Sequence, residues 1–123
     1  MSARGLPAPR SDCPIAGTLD LIGDRWTLVI VRDLMMGKRR FSEFLVSGEG
    51  IKTNILADRL KRLERAGLVE RSRYQVGPPR YEYRLTRSGR DLGPVLRAVF
   101  SWGRAHLPAA RGRRSTGSKR VGT

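Results

Sequence analysis

Polar side chains that could read the edges of bases gather at the start of one predicted helix, in the stretch KTNILADRLKRLERAG at 52–67. Lys52, Thr53, Asn54 and Asp58 fall within its first two turns. A helix that enters the major groove of a duplex needs hydrogen-bonding side chains near its N-terminus. The amide of Asn54 suits a bidentate pair with an adenine edge; alternatively, Asn54 only helps to begin the helix.

The charged remainder of this helix permits more than one interpretation. Asp58 can accept a hydrogen bond from a cytosine amino group, but phosphate repels a carboxylate, so pairing with Lys61 or Arg62 at i+3 or i+4 is favoured. Lys61 and Arg65 lie farther along the helix, at a distance that suits phosphate contacts. The alternative for these charges is a solvated helix face.

A run of three basic residues comes just before the next helix upstream of this one: Lys38, Arg39 and Arg40. Basic side chains beside a helix N-terminus are well placed to bind phosphate. Three adjacent charges are hard to explain by packing, although ordinary loop residues remain the alternative.

A second basic group flanks the stiff turn GPP at 77–79 and consists of Arg73, Arg80 and Arg84. A narrow minor groove concentrates negative potential and attracts an inserted arginine. Arg80 is therefore the candidate for a contact in the minor groove.

The lone cysteine, Cys13, is the expected N-cap of the first helix because Pro14 suits the first helical position. The positive end of the helix macrodipole favours a thiolate, whereas the neighbouring Asp12 opposes it. Cys13 is thus a candidate redox sensor, and the alternative is a small unreactive residue.

The overall charge also indicates a polyanionic partner. Lys and Arg total 25 against 11 Asp and Glu, which gives a net charge of +14 and a pI near 11.5. Residues 13–107 alone carry +8, so the excess does not come only from the two ends. Nucleic acid is the commonest partner of so basic a protein.

Other classes of function find little support in the residues. The one histidine, His106, has no Ser, Cys or carboxylate placed with it in a recognisable catalytic arrangement. No phosphate-binding glycine loop follows a strand, and one Cys with one His cannot build a structural zinc site. We therefore expect no enzyme activity, no cofactor and no metal.

The sequence predicts one domain at 13–107 between two disordered arms. The arms, at 1–12 and 108–123, are rich in Gly, Pro, Ser and Arg, and the second one is strongly basic. No apolar run approaches the roughly 18 residues of a membrane-spanning helix, and the first residues lack the apolar stretch of a signal peptide. These features are typical of a soluble cytoplasmic protein.

Hydrophobic periodicity predicts four helices in the first half of the domain. The second is apolar nearly all round, begins at a cap supplied by Asp24 and is expected at the centre of the core. The fourth carries one stripe of leucines, with Thr53 as the expected cap and Gly67 at its end.

A hairpin and a last helix complete the predicted order. YEYRLT at 81–86 alternates apolar and polar residues, and the GPP turn separates it from the preceding strand. Thr86 can cap the last helix, in which Pro94 should cause a bend or mark the effective start. The fold class is mainly α with a small β-hairpin (α+β), in the order of a winged helix-turn-helix.

Five motifs follow one another between residues 13 and 105: CPIAGTLDLIGDRWTLVIVRDL, RRFSEF, GIKTNILADRLKRLERAGLVER, PPRYEYRLTRSG and SWG. In order and spacing they resemble the HxlR family of winged-helix transcriptional regulators. The resemblance implies dimeric DNA-binding repressors or activators, with the first and last helices at the dimer interface. It also implies that some members sense oxidants or electrophiles with a cysteine at the position of Cys13. The chain departs from the family at Lys52, where members often carry a capping Ser.

We accordingly expect a homodimer that binds a pseudo-palindromic DNA duplex, with its two recognition helices about 34 Å apart. It would act as a repressor, with a small molecule or an oxidant as effector. The alternative is a basic RNA-binding or nucleoid-type protein with the same fold. Readers of single-stranded RNA need exposed aromatic rings, and Tyr74 keeps this option open.

Overall fold

The computed structural model describes residues 11–108. Within this range the elements are α1 (Pro14–Ile22), α2 (Thr27–Met35), α3 (Phe41–Leu45), α4 (Thr53–Arg65), β1 (Val69–Gln75), β2 (Arg80–Leu85), α5 (Arg87–Arg90) and α6 (Gly93–His106). The predicted order is confirmed, except that the last helix is divided into α5 and α6. Most of the two predicted arms lies outside the described residues. The chain divides into two compact units, one ending at Asp91 and the other beginning at Leu92.

The core of the first unit is built from α2, α3, α4 and the start of β1. Its most completely buried side chains are Ile30, Val31, Leu34, Phe44, Leu56, Leu60, Leu63 and Val69. The three leucines of α4 recur at helical spacing, so that one face of the helix is turned inward and the other is left for solvent or a partner. The predicted leucine stripe and the central place of α2 are both confirmed.

Asp24 fixes the start of α2. Its Oδ2 accepts hydrogen bonds from the backbone N–H groups of Trp26 at 3.0 Å and Thr27 at 3.2 Å. These bonds satisfy donors that have no partner inside the helix. Asp24 thus bonds the helix start as predicted, but it does so from two residues before the N-cap, which is Trp26, and the regular helix begins at Thr27.

Gly67 ends α4 and turns the chain into β1. Its φ of 78° lies in the left-handed region that glycine adopts most readily. The N–H of Leu68 donates to the carbonyl oxygen of Leu63, and the N–H of Gly67 donates to that of Glu64, each at 3.0 Å. This pair of bonds is the Schellman motif, and it fixes the direction in which the strand leaves the helix.

The two strands pair in an antiparallel hairpin. Val69 lies opposite Leu85 and Arg73 opposite Tyr81, after which the register becomes irregular near Gln75. The hairpin tip is therefore the turn at 76–79 that the Gly and Pro residues predicted.

The segment just before α3 pairs with the free side of β2. Arg40 forms an isolated antiparallel bridge with Glu82, and the N–H of Tyr83 donates to the carbonyl oxygen of Arg39 at 2.8 Å. The hairpin is thus tied by backbone bonds to the residue that precedes α3.

A short helix follows the hairpin. Thr86 caps α5, because its side-chain oxygen accepts the N–H of Gly89 at 3.2 Å. After α5 ends, α6 begins with Pro94 in its first turn, where the missing N–H of proline costs nothing. Of the two expectations for Pro94, a bend or a start, the start is confirmed. Helices followed by a hairpin in this arrangement form a winged helix-turn-helix, with the hairpin as the wing.

Candidate nucleic-acid interface

The start of α4 presents the polar residues that the sequence singled out. Lys52, Thr53 and Asn54 are all exposed, and they stand on a helix that buried leucines hold in place. Lys52 is the N-cap and makes no side-chain capping bond, while Thr53 is the first helical residue. The expectation that Thr53 caps the helix is therefore wrong, because a capping residue must lie outside the first turn.

Asp58, one turn farther along, is exposed but not isolated. Its Oδ2 accepts a hydrogen bond from Nη1 of Arg59 at 2.5 Å and lies 3.9 Å from Nη1 of Arg62. The predicted i,i+4 pairing with Arg62 is confirmed, and Arg59 is a further partner. Lys61 is exposed on the same helix. Two guanidinium groups beside one carboxylate leave this part of the surface basic.

Arg59 also links α4 to the turn before α2. Its Nε donates to Oδ2 of Asp24 at 2.9 Å. Burial raises the pKa of Asp24, but hydrogen bonds from the Thr27 hydroxyl, Arg59 and the Trp26 N–H outweigh it and lower that pKa to about 2. Asp24 is therefore ionised at neutral pH, and its charge holds α4 against the start of α2. The sequence interpretation missed Arg59; its position three residues after Leu56, beside the apolar stripe, was the available signal.

The residues of the basic run before α3 differ in the contacts that they make. Nη1 of Arg39 donates to the carbonyl oxygens of Leu34 at 3.0 Å and Lys38 at 2.9 Å, so this guanidinium closes the C-terminal end of α2. Both Lys38 and Arg39 are only half-buried. Lys38 is thus the member of this pair whose ammonium group is better placed for a phosphate.

Arg40 is exposed and packs against the wing. Its guanidinium lies 3.9 Å from the ring centroid of Tyr74, and its Nη2 is 3.4 Å from Oε2 of Glu82. Glu43 accepts the backbone N–H groups of Arg39 and Arg40, and these two bonds lower the pKa of its carboxyl. The short helix α3 therefore begins from a fixed position beside the hairpin.

Arg73 and Arg80 lie on the two strands of the wing near its tip, and both are exposed. The guanidinium of Arg73 is 5.9 Å from the ring centroid of Tyr81. Arg80 lies opposite Gln75, whose side-chain amide donates to the carbonyl oxygen of Pro78 at 3.1 Å. The tip that carries Arg80 is thus braced by a bond across the turn.

The structure brings some of these candidates together. Arg40 and Arg80 line one cleft between α3 and the wing, although they are 40 positions apart in the chain. Within residues 11–108, the hydrogen bonds and ion pairs do not connect the start of α4 with either arginine. The candidates therefore form two groups on the first unit, one on α4 and one around the wing.

Cys13 is exposed at the N-cap of α1, with Pro14 in the first turn, as predicted. Its backbone N–H donates to Oγ of Ser11 at 3.0 Å. The thiol is thus accessible to reagents at a helix start.

The side chain of His106 makes its contacts within α6. Its Nδ1 lies 3.0 Å from the carbonyl oxygen of Trp102, and the two rings stack with centroids 4.6 Å apart. In the part of the chain that the structure covers, no group of three His, Cys, Asp or Glu side chains could hold a metal ion. Every helix between residues 11 and 108 is too short or too polar to span a bilayer.

Comparison with known sequences identifies a family. The family model described as HxlR-like helix-turn-helix matches residues 21–111. YdeP of Bacillus subtilis, an HTH-type transcriptional regulator, is 41% identical over 91 residues, covering 74% of this chain and 71% of YdeP. Rv3095 of Mycobacterium tuberculosis, also an HTH-type transcriptional regulator, is 41% identical over 98 residues and 80% of this chain. This chain spans only 61% of the length of Rv3095.

Solved structures with the same fold include two regulators known in defined redox forms. The redox regulator HypR in its oxidized form is 37% identical with a TM-score of 0.70, covering 76% of this chain and 97% of that chain. The reduced form of the transcriptional regulator YodB from B. subtilis is 33% identical with a TM-score of 0.66, covering 79% of this chain and 96% of that chain. This chain is similar to both over most of its described length.

Proposed function

The chain belongs to the HxlR-like helix-turn-helix family, and from this premise we propose that it is a DNA-binding transcriptional regulator. Two copies would bind one pseudo-palindromic operator and repress the genes beside it. The observation that carries the proposal is the start of α4, where exposed Lys52, Thr53 and Asn54 stand on a helix anchored by buried leucines. A helix so held presents its polar side chains to the major groove in one fixed orientation.

The homodimer is supported by apolar side chains that α1 and α6 each expose. On α1, Ile15 and Leu19 are 71% and 56% exposed, and on α6, Phe100 and Trp102 are 63% and 61% exposed. Large apolar side chains that a helix leaves exposed are typical of a protein interface. In such a homodimer two α4 helices about 34 Å apart would match half-sites one helical turn apart. A sedimentation mass near 13.8 kDa at micromolar concentration would contradict the dimer.

Asn54→Ala and Lys38→Ala should weaken DNA binding in different ways. Loss of the Asn54 amide should reduce discrimination at one base pair by about 1–3 kcal/mol, because a bidentate base contact disappears. Loss of Lys38 should weaken binding to all sequences alike and lower the slope of log K against log salt by about 1. Binding titrations against the operator, single-base variants and random duplex, at several salt concentrations, separate the two effects.

Arg87→Ala is the control for a simple loss of charge, since Arg87 is exposed on α5 and outside both candidate groups. An equal loss on all duplexes from Asn54→Ala and Lys38→Ala would show that the assignment of base and phosphate contacts is wrong. The same comparison can be made for the minor groove with Arg80→Ala. The loss of affinity is then measured on operators with and without an A·T-rich flank.

Cys13 is proposed as the sensor through which an oxidant changes DNA binding. The proposal is supported by the exposed thiol at the start of α1 and by the similarity to HypR, a redox regulator. Hydrogen peroxide would convert the thiolate to a sulfenic acid, with reduction of the peroxide to water.

Peroxide should change the operator affinity of the wild-type chain by about 5–150-fold, the usual range of coupling between two sites. Cys13→Ser should keep its affinity under the same treatment, because the serine hydroxyl is not oxidised. Fluorescence anisotropy, with mass spectrometry of Cys13 in the same samples, provides the measurement. Oxidation of Cys13 without a change in affinity would rule out the sensor.

The alternative partner, single-stranded RNA, depends on Tyr74. This residue is 37% exposed, but the guanidinium of Arg40 lies 3.9 Å from its ring centroid, so one face of the ring is occupied. A base would have to displace Arg40 to stack on that face. A competition assay in which single-stranded RNA displaces the palindromic duplex would favour the RNA-binding or nucleoid-type protein over the regulator.

A further inference from the structure

A cleft of about 450 Å³ opens between α3 and the wing. Phe41 and Leu45 of α3 form one side, and Tyr74, Pro79 and Tyr81 of the hairpin form the other. All of these residues belong to the first unit. The volume lies within the range of about 300–1,000 Å³ that small-molecule sites occupy, and an aromatic and apolar lining is also typical of them.

The cleft is positively charged. Arg40 and Arg80 both line it, and its described lining residues include no carboxylate. Arg40 is partly compensated by Glu82, whose Oε2 lies 3.4 Å from its Nη2. Arg80 forms no ion pair with another residue of the described range, so its guanidinium is available to a ligand.

The walls of the cleft are held in place from both sides. Tyr83, which also lines it, packs edge-on against buried Phe44 with centroids 6.3 Å apart, and its backbone N–H is bonded to Arg39. The side chain of Gln75 braces the turn that supplies Pro78 and Pro79. A ligand would therefore meet a Tyr83 ring and a turn whose positions are already fixed, which lowers the entropic cost of binding.

We propose that this cleft binds a planar aromatic anion, such as an aromatic carboxylate or phenolate. Aromatic walls favour a flat ring mainly through edge-on contacts, because guanidinium groups already lie over the rings of Tyr74 and Tyr81. A guanidinium favours a carboxylate because two parallel N–H donors match its two oxygens. The two preferences meet in one cleft only for a molecule that is both flat and negatively charged.

Occupancy of the cleft would change DNA binding through Arg80. This consequence depends on the proposed function, in which Arg80 enters a minor groove, whereas ligand binding by the free protein does not. A ligand that holds the Arg80 guanidinium withdraws it from DNA. The aromatic anion is therefore expected to release the operator.

Isothermal titration of the full chain with 2-naphthoate tests the site directly. The neutral isostere 2-naphthamide should bind about 10–100-fold more weakly, because it cannot make a charge-assisted bond to Arg80. Arg80→Gln should weaken naphthoate by a similar factor and leave naphthamide unchanged. Arg87→Gln removes the same charge outside the cleft and should leave both affinities unchanged.

Three outcomes would overturn the site. If naphthoate fails to bind at millimolar concentration, the cleft is not a binding site for it. If naphthoate binds Arg80→Gln as tightly as the wild type, its binding site is not this cleft. If inorganic phosphate binds as tightly as naphthoate and its binding also depends on Arg80, the cleft is a site for phosphates of the DNA backbone and not for an aromatic ligand.

The effect of naphthoate on operator binding is measured in a separate experiment. Saturating naphthoate should weaken operator binding by the wild-type chain to about the level of ligand-free Arg80→Gln. Unchanged operator affinity, with naphthoate bound, overturns the coupling. If the ligand-free protein does not bind the operator, the proposed function is contradicted. The calorimetric test of the ligand site is not affected by that outcome.

Discussion

Leu56→Ala is expected to lower the free energy of unfolding by about 2–5 kcal/mol, the usual cost of truncating a buried leucine. The side chain is 0% exposed, on the inner face of α4, and shares the core with Ile30, Val31 and Phe44. The substitution removes apolar contacts and leaves a cavity that close-packed neighbours fill only partly. Because whole domains are stable by only about 5–15 kcal/mol, this single change would remove a large part of the total.

Urea denaturation followed by circular dichroism measures the effect. Met36→Ala is the matched control, since Met36 is a side chain of similar size that is 72% exposed, and it should change stability by less than about 0.5 kcal/mol. Similar values for the two variants would mean that α4 is not seated on the core as described. Loss of operator binding by Leu56→Ala should follow its unfolded fraction, without a change in base preference.

Gly89→Ala is expected to lower the free energy of unfolding by about 1–3 kcal/mol or more, because the added methyl group has no space. A Cβ at this position would lie 2.1 Å from the carbonyl oxygen of Leu68 and 3.0 Å from Cδ2 of Leu85. The carbonyl cannot yield easily, since it is backbone and already accepts the N–H of Thr86 at 3.0 Å. The hydroxyl of Ser88 is also 3.1 Å from the carbonyl oxygen of Gly67, so α5 is fastened to this corner at several points.

Gly17→Ala is the matched control for the same added methyl group. Gly17 lies inside α1, and a Cβ there would meet nothing within 4 Å. This variant should become more stable by about 0.5–1 kcal/mol, because alanine suits a helix interior better than glycine does. Thermal and urea denaturation of both variants at one protein concentration should give changes of opposite sign. Equal stability of Gly89→Ala and the wild type would disprove the close approach of α5.

The parts of the fold that could be predicted depend on local patterns. The leucine stripe of α4 is visible because apolar residues at helical spacing must face one way. Gly67 and Pro94 mark boundaries because each restricts or frees its own backbone. Asp24 was likewise found from its residue type and its place before an apolar run.

The parts that were missed depend on contacts across the chain. Arg59 reaches Asp24 from 35 positions away, and no local pattern pairs these two residues. Arg39 looked like its neighbours in the basic run, yet its guanidinium bonds backbone carbonyls at the end of α2. Thr53 was misplaced as a cap because helix ends shift by a residue or two without changing the sequence pattern.

Backbone pairing around the wing has a consequence for how the protein behaves at high concentration. An open strand edge offers unpaired N–H and C=O groups to any other chain, which is a common route to aggregation. The bonds of Arg39 and Arg40 to β2 occupy part of one edge of the hairpin. The opposite edge belongs to β1, which is exposed from Glu70 onwards and carries Arg71 and Arg73. Repulsion between the arginines of that edge opposes its pairing with a second hairpin, so edge-to-edge polymerisation is disfavoured by charge on one side and by backbone pairing along part of the other.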